Sequence, residues 1–61
     1  MTLDQYLRKT QTTSREFADA VKASIFAVHK WRRHARIPRS VFIKRIEHMT
    51  SGKVKPKDWY Q

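Results

Sequence analysis

Apolar residues recur along the chain at helical spacing in four short blocks, with polar residues between them. Leu3, Tyr6 and Leu7 stand at i, i+3 and i+4 and predict a short first helix that turns this stripe to the core. Thr2 and Gln5 have capping-box spacing, in which each side chain satisfies an orphan amide of the other, and the helix ends near Lys9-Thr10. Gln11-Thr12-Thr13 is polar and reads as a connection. Thr13 and Glu16 repeat the capping-box spacing, so a second helix begins at Ser14 and carries Phe17, Ala18 and Val21 on one stripe. A tight turn around Lys22-Ala23 follows. Ser24 is a natural N-cap for a third helix, on which Val28 and Trp31 share a stripe flanked by Ala27, Arg32 and Ala35.

Pro38 pushes Ile37 out of helical conformation, so the third helix stops by about Ala35. Proline also suits the start of a helix, and Phe42, Ile46 and Met49 follow at i, i+4 and i+7, with Val41 and Ile43 widening the stripe. These predict a fourth helix, roughly Arg39 to Met49. A strand pair would need apolar and polar residues to alternate, and SVFIKRIEHM does not alternate. Gly52 suits a left-handed C-terminal cap, and Pro56 opens a last helical turn anchored by Val54, Trp59 and Tyr60. The expected fold is all-α, one domain over residues 1–61 with four to five helices. The alternative is a mixed α+β domain whose C-terminal third is a β-hairpin.

The third helix has an unusual outer face. With Val28 at zero and a rotation of about 100° per residue, His29, Arg33, Phe26 and Lys30 fall between about 100° and 200°, away from the core stripe. Ile25 lies nearer the core, at about 60°. A phenylalanine among cations on a solvent face gains nothing from water, so it points to contact with something else.

Two short helices joined by a tight turn, the second with a basic outer face, have the layout of a helix-turn-helix and its recognition helix. Ser14 to Arg33 resembles the DNA-binding motif of small phage repressors of the Cro type. Their local pattern is leucine-alanine, then leucine-glycine-valine-serine, then valine and tryptophan, and Phe17-Ala18, Val21, Ala23-Ser24, Val28 and Trp31 stand in those places. One place departs, because Lys22 replaces the glycine of the turn, where a left-handed backbone costs another residue on the order of 1 kcal/mol.

The resemblance implies that Ile25, Phe26, His29, Lys30 and Arg33 read bases in the major groove, and that Ser24, Arg32, Arg36 and Arg39 meet phosphates. Ser14 and Arg15 join the phosphate group because they combine a hydroxyl and a guanidinium with a helix N-terminus. Lys30 and Arg33 can donate to O6 and N7 of guanine, and Phe26 can touch a thymine methyl. Many relatives carry glutamine or serine where Ile25 and Phe26 stand, so their base preference does not transfer. Some Cro-type proteins continue after the motif as a β-hairpin, which is why the last third decides the subclass.

Charge strengthens this picture. The net charge is +9, with four basic against three acidic side chains in residues 1–23 and ten against two in residues 24–61. The excess begins with the third helix and favours a polyanion, since each phosphate neutralised releases condensed counterions. Sixty-one residues bury only about 60% of the unfolded surface, which leaves little room for a large active site. There is no cysteine, as expected in a reducing compartment, and neither a basic-apolar leader nor a span of roughly 20 apolar residues. The expected location is the cytoplasm of a bacterial host.

His29 and His34 lie five residues apart without an acidic or thiol partner at ligand spacing, so no metal site is expected. No glycine-rich phosphate loop, facing carboxylate pair or nucleophile elbow is present, so neither an enzyme nor a cofactor or small-molecule ligand is expected. The expected function is a sequence-specific double-stranded DNA-binding regulator of transcription, a Cro-like repressor that occupies a pseudo-palindromic operator as a homodimer, at least on DNA. Met49, Trp59 and Tyr60 are candidates for the dimer surface, though each can equally close the monomer's own core. Rival readings are an excisionase-like architectural DNA-binding protein, a cationic module for membranes or acidic proteins, and an RNA-binding protein. The first usually needs a wing hairpin, the second a helix induced by its partner, and the third more exposed aromatics.

Overall fold

The helices predicted from capping and spacing are present in the computed structural model, which describes residues 1–60. They are α1 (Leu3–Thr10), α2 (Ser14–Val21), α3 (Ile25–Arg32) and α4 (Ser40–Met49), followed by a 3-10 turn, Pro56–Trp59. No strand occurs among the described residues, and the segment considered for a β-hairpin opens with helix α4, so the domain is all-α.

Local hydrogen bonds explain where the helices start. The Gln5 amide donates to Thr2 Oγ1 at 3.2 Å, and the Thr2 amide donates back to Gln5 Oε1 at 2.9 Å. Thr13 and Glu16 repeat this reciprocal pair at 3.1 and 2.9 Å, and Ser24 Oγ accepts from the Ala27 amide at 3.1 Å. Fixing these orphan amides sets the first residue of α1, α2 and α3, whereas α4 starts after Arg39 without a side-chain cap.

All four helices close alike, and none uses glycine in the left-handed position. Gln11, Lys22, His34 and Ser51 have φ between 55° and 60°. The next amide then reaches back over the last turn: Thr12 to Leu7 O, Ala23 to Ala18 O, Ala35 to Lys30 O and Gly52 to Glu47 O, all at 2.8–2.9 Å. Gly52 was expected to hold the left-handed cap of α4. Ser51 holds it instead, and Gly52 follows with φ 80°.

The core gathers Leu3 and Leu7 from α1, Phe17, Ala18 and Val21 from α2, Val28 and Trp31 from α3, and Ile43 and Ile46 from α4. Val54 and Trp59 close it from the tail. Here the expected stripe of α4 needs correction. Ile43, Ile46 and Thr50 are buried and Phe42 is half-buried, whereas Val41 and Met49 are about half exposed. The helix is rotated by its neighbours: Phe42 lies against Trp31 with ring centroids 5.4 Å apart, and Arg45 Nη1 donates to Val21 O at 3.2 Å while stacking over the Phe42 ring. That guanidinium gives α2, which has no basic residue in its last turn, a cation at its C-terminal end.

Thr50 tolerates burial because its hydroxyl donates to Ile46 O at 2.8 Å and accepts from the Val54 amide at 3.1 Å. Asp58, also buried, accepts from the Lys55 amide at 2.8 Å and from the Met1 ammonium at 3.2 Å. The Lys55 amide, assisted by that ammonium, holds its carboxyl below the usual aspartate range, against the opposing effect of burial. Together these bonds hold the tail over the open end of the core. No helix among the described residues is long and apolar enough to cross a membrane.

Candidate nucleic-acid interface

The buried side of α3 determines what its other side can offer. Val28 and Trp31 are buried, and Trp31 is only 4% exposed, so its ring belongs to the core rather than to a stacking surface. Phe26, His29, Lys30 and Arg33 are exposed on the opposite side, and Phe26 is 73% exposed. Ile25, expected beside them, is half-buried at the flank. The outer face is therefore a short ridge with one ring among three nitrogen-bearing side chains.

A depression lies on either side of this ridge. One, of about 440 Å³, is lined by Asp4, Arg8, Ser14, His29, Arg32 and Arg33, and so joins α1, the start of α2 and the end of α3. The other, of about 370 Å³, is lined by Ala27, Trp31, Phe42 and the loop residues Arg36, Ile37, Pro38 and Arg39. Phe26 and Lys30 line neither and stand between them.

The residues expected to meet phosphate are not equally available. Arg15, Arg36 and Arg39 are exposed. Ser24 is exposed too, and although its oxygen accepts the Ala27 amide, its hydroxyl proton is still free to donate. Ser14 and Arg32 need revision. Arg32 donates from Nε to Asp4 Oδ1 at 2.8 Å and from Nη1 to Ser14 Oγ at 2.9 Å, and Ser14 is only 8% exposed. A guanidinium engaged in two directions at partly buried sites braces three helices, so Arg32 and the Ser14 hydroxyl act in the free protein as struts.

Sequence reasoning missed Asp4 and Arg8. Arg8 Nε donates to Asp4 Oδ2 at 2.9 Å, its side chain is 77% exposed, and it lines the same depression as His29 and Arg33. The Asp4–Arg8 spacing of one helical turn was visible in the sequence, but that spacing alone reads as an ordinary surface ion pair.

Among the described residues, no three histidine or carboxylate side chains stand close enough to hold a metal ion. Comparison with protein-family models, with curated proteins and with solved structures finds no match to this chain, so the functional reading rests on the geometry of α3 and its surroundings.

Proposed function

We propose that this protein is a sequence-specific double-stranded DNA-binding regulator of transcription that uses α2 and α3 as a helix-turn-helix. On this reading α3 enters the major groove, and the protein represses by occupying a promoter, as Cro-type phage repressors do. The observation that carries the reading is Phe26, a ring 73% exposed between cationic side chains on a helix whose other side is core. Water gives such a ring no gain, whereas thymine methyl groups in a major groove do. A helix with its side chains is about 10–12 Å across, and the major groove, about 12 Å wide, admits it.

Lys30 and Arg33 then donate to base edges beside Phe26, with His29 and Ile25 at the margin. Arg15, Ser24, Arg36 and Arg39 contact the backbone and carry the salt-dependent part of the affinity. One module of this size makes few base contacts, so a two-fold pair on a pseudo-palindrome supplies useful affinity. Met49 and Tyr60 are exposed and can contribute to such a pairing, while Trp59 closes the monomer's core. The setting is the cytoplasm of a bacterial host, with no catalytic role.

Selection of binding sites from a random duplex pool at physiological salt tests this reading. Recovery of a two-fold-related site, with half-sites about one helical turn apart, is the expected result. Retention without a preferred sequence would replace it with architectural or non-specific binding, and no retention at all would refute DNA binding.

A further inference from the structure

The depression between α1, α2 and α3 contains one carboxylate among three guanidinium groups. Asp4 uses both oxygens, Oδ1 for Arg32 Nε at 2.8 Å and Oδ2 for Arg8 Nε at 2.9 Å. The two arginines differ in what else holds them. Arg32 is largely covered and also tied to Ser14, whereas the Arg8 side chain is 77% exposed and, among the described residues, pairs with Asp4 alone. Arg33 and His29 line the same depression and are exposed.

We propose that Asp4 is an internal stand-in for a backbone phosphate, and that Arg8 exchanges it for a phosphodiester oxygen when duplex DNA docks against α3. This rests on the DNA-binding reading above. Arg8, with His29 beside it, then forms a phosphate seat at the edge of the ridge, next to the base-reading Arg33. Arg32 stays with Asp4 and Ser14 as a positioning residue that holds the start of α2 against the end of α3. The exchange is inexpensive, because an exposed ion pair one helical turn apart is weak in water. A phosphate presents the same kind of charged oxygens to a guanidinium, and forming the new pair releases condensed counterions. Asp4 meanwhile keeps Arg8 pointed at the depression in the free protein.

The test measures affinity for a mixed-sequence duplex about 20 base pairs long, at several salt concentrations, for intact protein and four variants. Arg8→Ala should weaken binding to all sequences and make the slope of log K against log salt shallower by about 0.9, one phosphate contact. Asp4→Asn removes the competing anion and should tighten binding about two- to fivefold. Asp19→Asn makes the same change of net charge elsewhere and should tighten binding less. Arg32→Ala should leave the salt slope unchanged and lower the melting temperature. An unchanged slope in Arg8→Ala, or equal tightening by Asp4→Asn and Asp19→Asn, overturns the exchange while leaving DNA binding in place. Failure of the intact protein to bind any duplex overturns both.

Discussion

Arg32 Nε lies 2.8 Å from Asp4 Oδ1, so the helix carrying the candidate base-reading face is tied to the first helix across 28 residues of sequence. The same guanidinium reaches Ser14 Oγ, and three helices therefore share one side chain. Removing it leaves a partly buried carboxylate and hydroxyl with one partner fewer. Arg32→Ala should cost about 1–2 kcal/mol, intermediate between an exposed ion pair and a buried charged hydrogen bond. Arg32→Lys should lose most of the same amount, because an ammonium cannot span both acceptors in the fork geometry. Urea midpoints at neutral pH measure both, and a change of less than about 0.3 kcal/mol in Arg32→Ala would show the tie to be incidental.

Lys22 closes α2 with φ 60° and ψ 45°. Its amide and that of Ala23 bond back into the helix, so the turn depends on this left-handed residue. Lys22→Gly should therefore stabilise the fold by about 1 kcal/mol, whereas Lys22→Val should destabilise it, because β-branching clashes most in that region. Thermal melts of the two variants should shift in opposite directions.

Phe26 is the clearest test of which residues read bases. Phe26→Ala should alter stability by no more than about 0.5 kcal/mol, since the ring packs against little. Phe26→Ala and Lys30→Ala should each change which sequence a random pool yields, whereas Arg39→Ala should weaken all sequences together and flatten the salt dependence. Uniform weakening by all three would remove the base-reading role from α3.

Two carboxylates link stability to acid. The Thr13 backbone amide and hydroxyl hold Glu16 below its ordinary value of 4.5, and the Lys55 amide foremost holds Asp58 below 3.8. Both pKa values are depressed in the folded state. The stability they contribute is thus fully present above these ordinary values and is lost as pH falls through the lower folded-state values. Melting temperature should begin to fall below about pH 4.5. Glu16→Gln keeps an acceptor for the Thr13 amide while removing the titration, and Asp58→Asn removes the charge facing the Met1 ammonium. Each should make the acid-side slope shallower, and a slope unchanged by both would assign acid unfolding to other groups.

Much of the fold is readable because helix starts are local events. Thr2 with Gln5, Thr13 with Glu16, and Ser24 with Ala27 bond across three residues, so their spacing in the chain already contains their geometry. The outer face of α3 follows from the same short periodicity, since placing Val28 and Trp31 inward leaves Phe26, His29, Lys30 and Arg33 no other direction. The tight turn around Lys22-Ala23 was legible from the spacing, whereas its left-handed backbone was implied only by the resemblance, whose glycine Lys22 replaces.

Tertiary packing decided which of several adequate options each longer element took. Helix α4 carries apolar residues around more than half its circumference, so periodicity alone could not choose between Met49 and Thr50. Contact with Trp31, Val21 and the tail turned Ile43, Ile46 and Thr50 inward. Trp59 could have served a partner surface or the core, and the core took it. In the sequence Arg32 belongs to the candidate interface and Arg8 is only one more basic residue of the first helix. Only the approach of α1 to α3 placed Asp4 between them, leaving Arg32 braced on two sides and Arg8 held at one and open to solvent. Bonds spanning three or four residues are set by the local chain. A pairing across 28 residues exists only once the core has fixed how the helices meet.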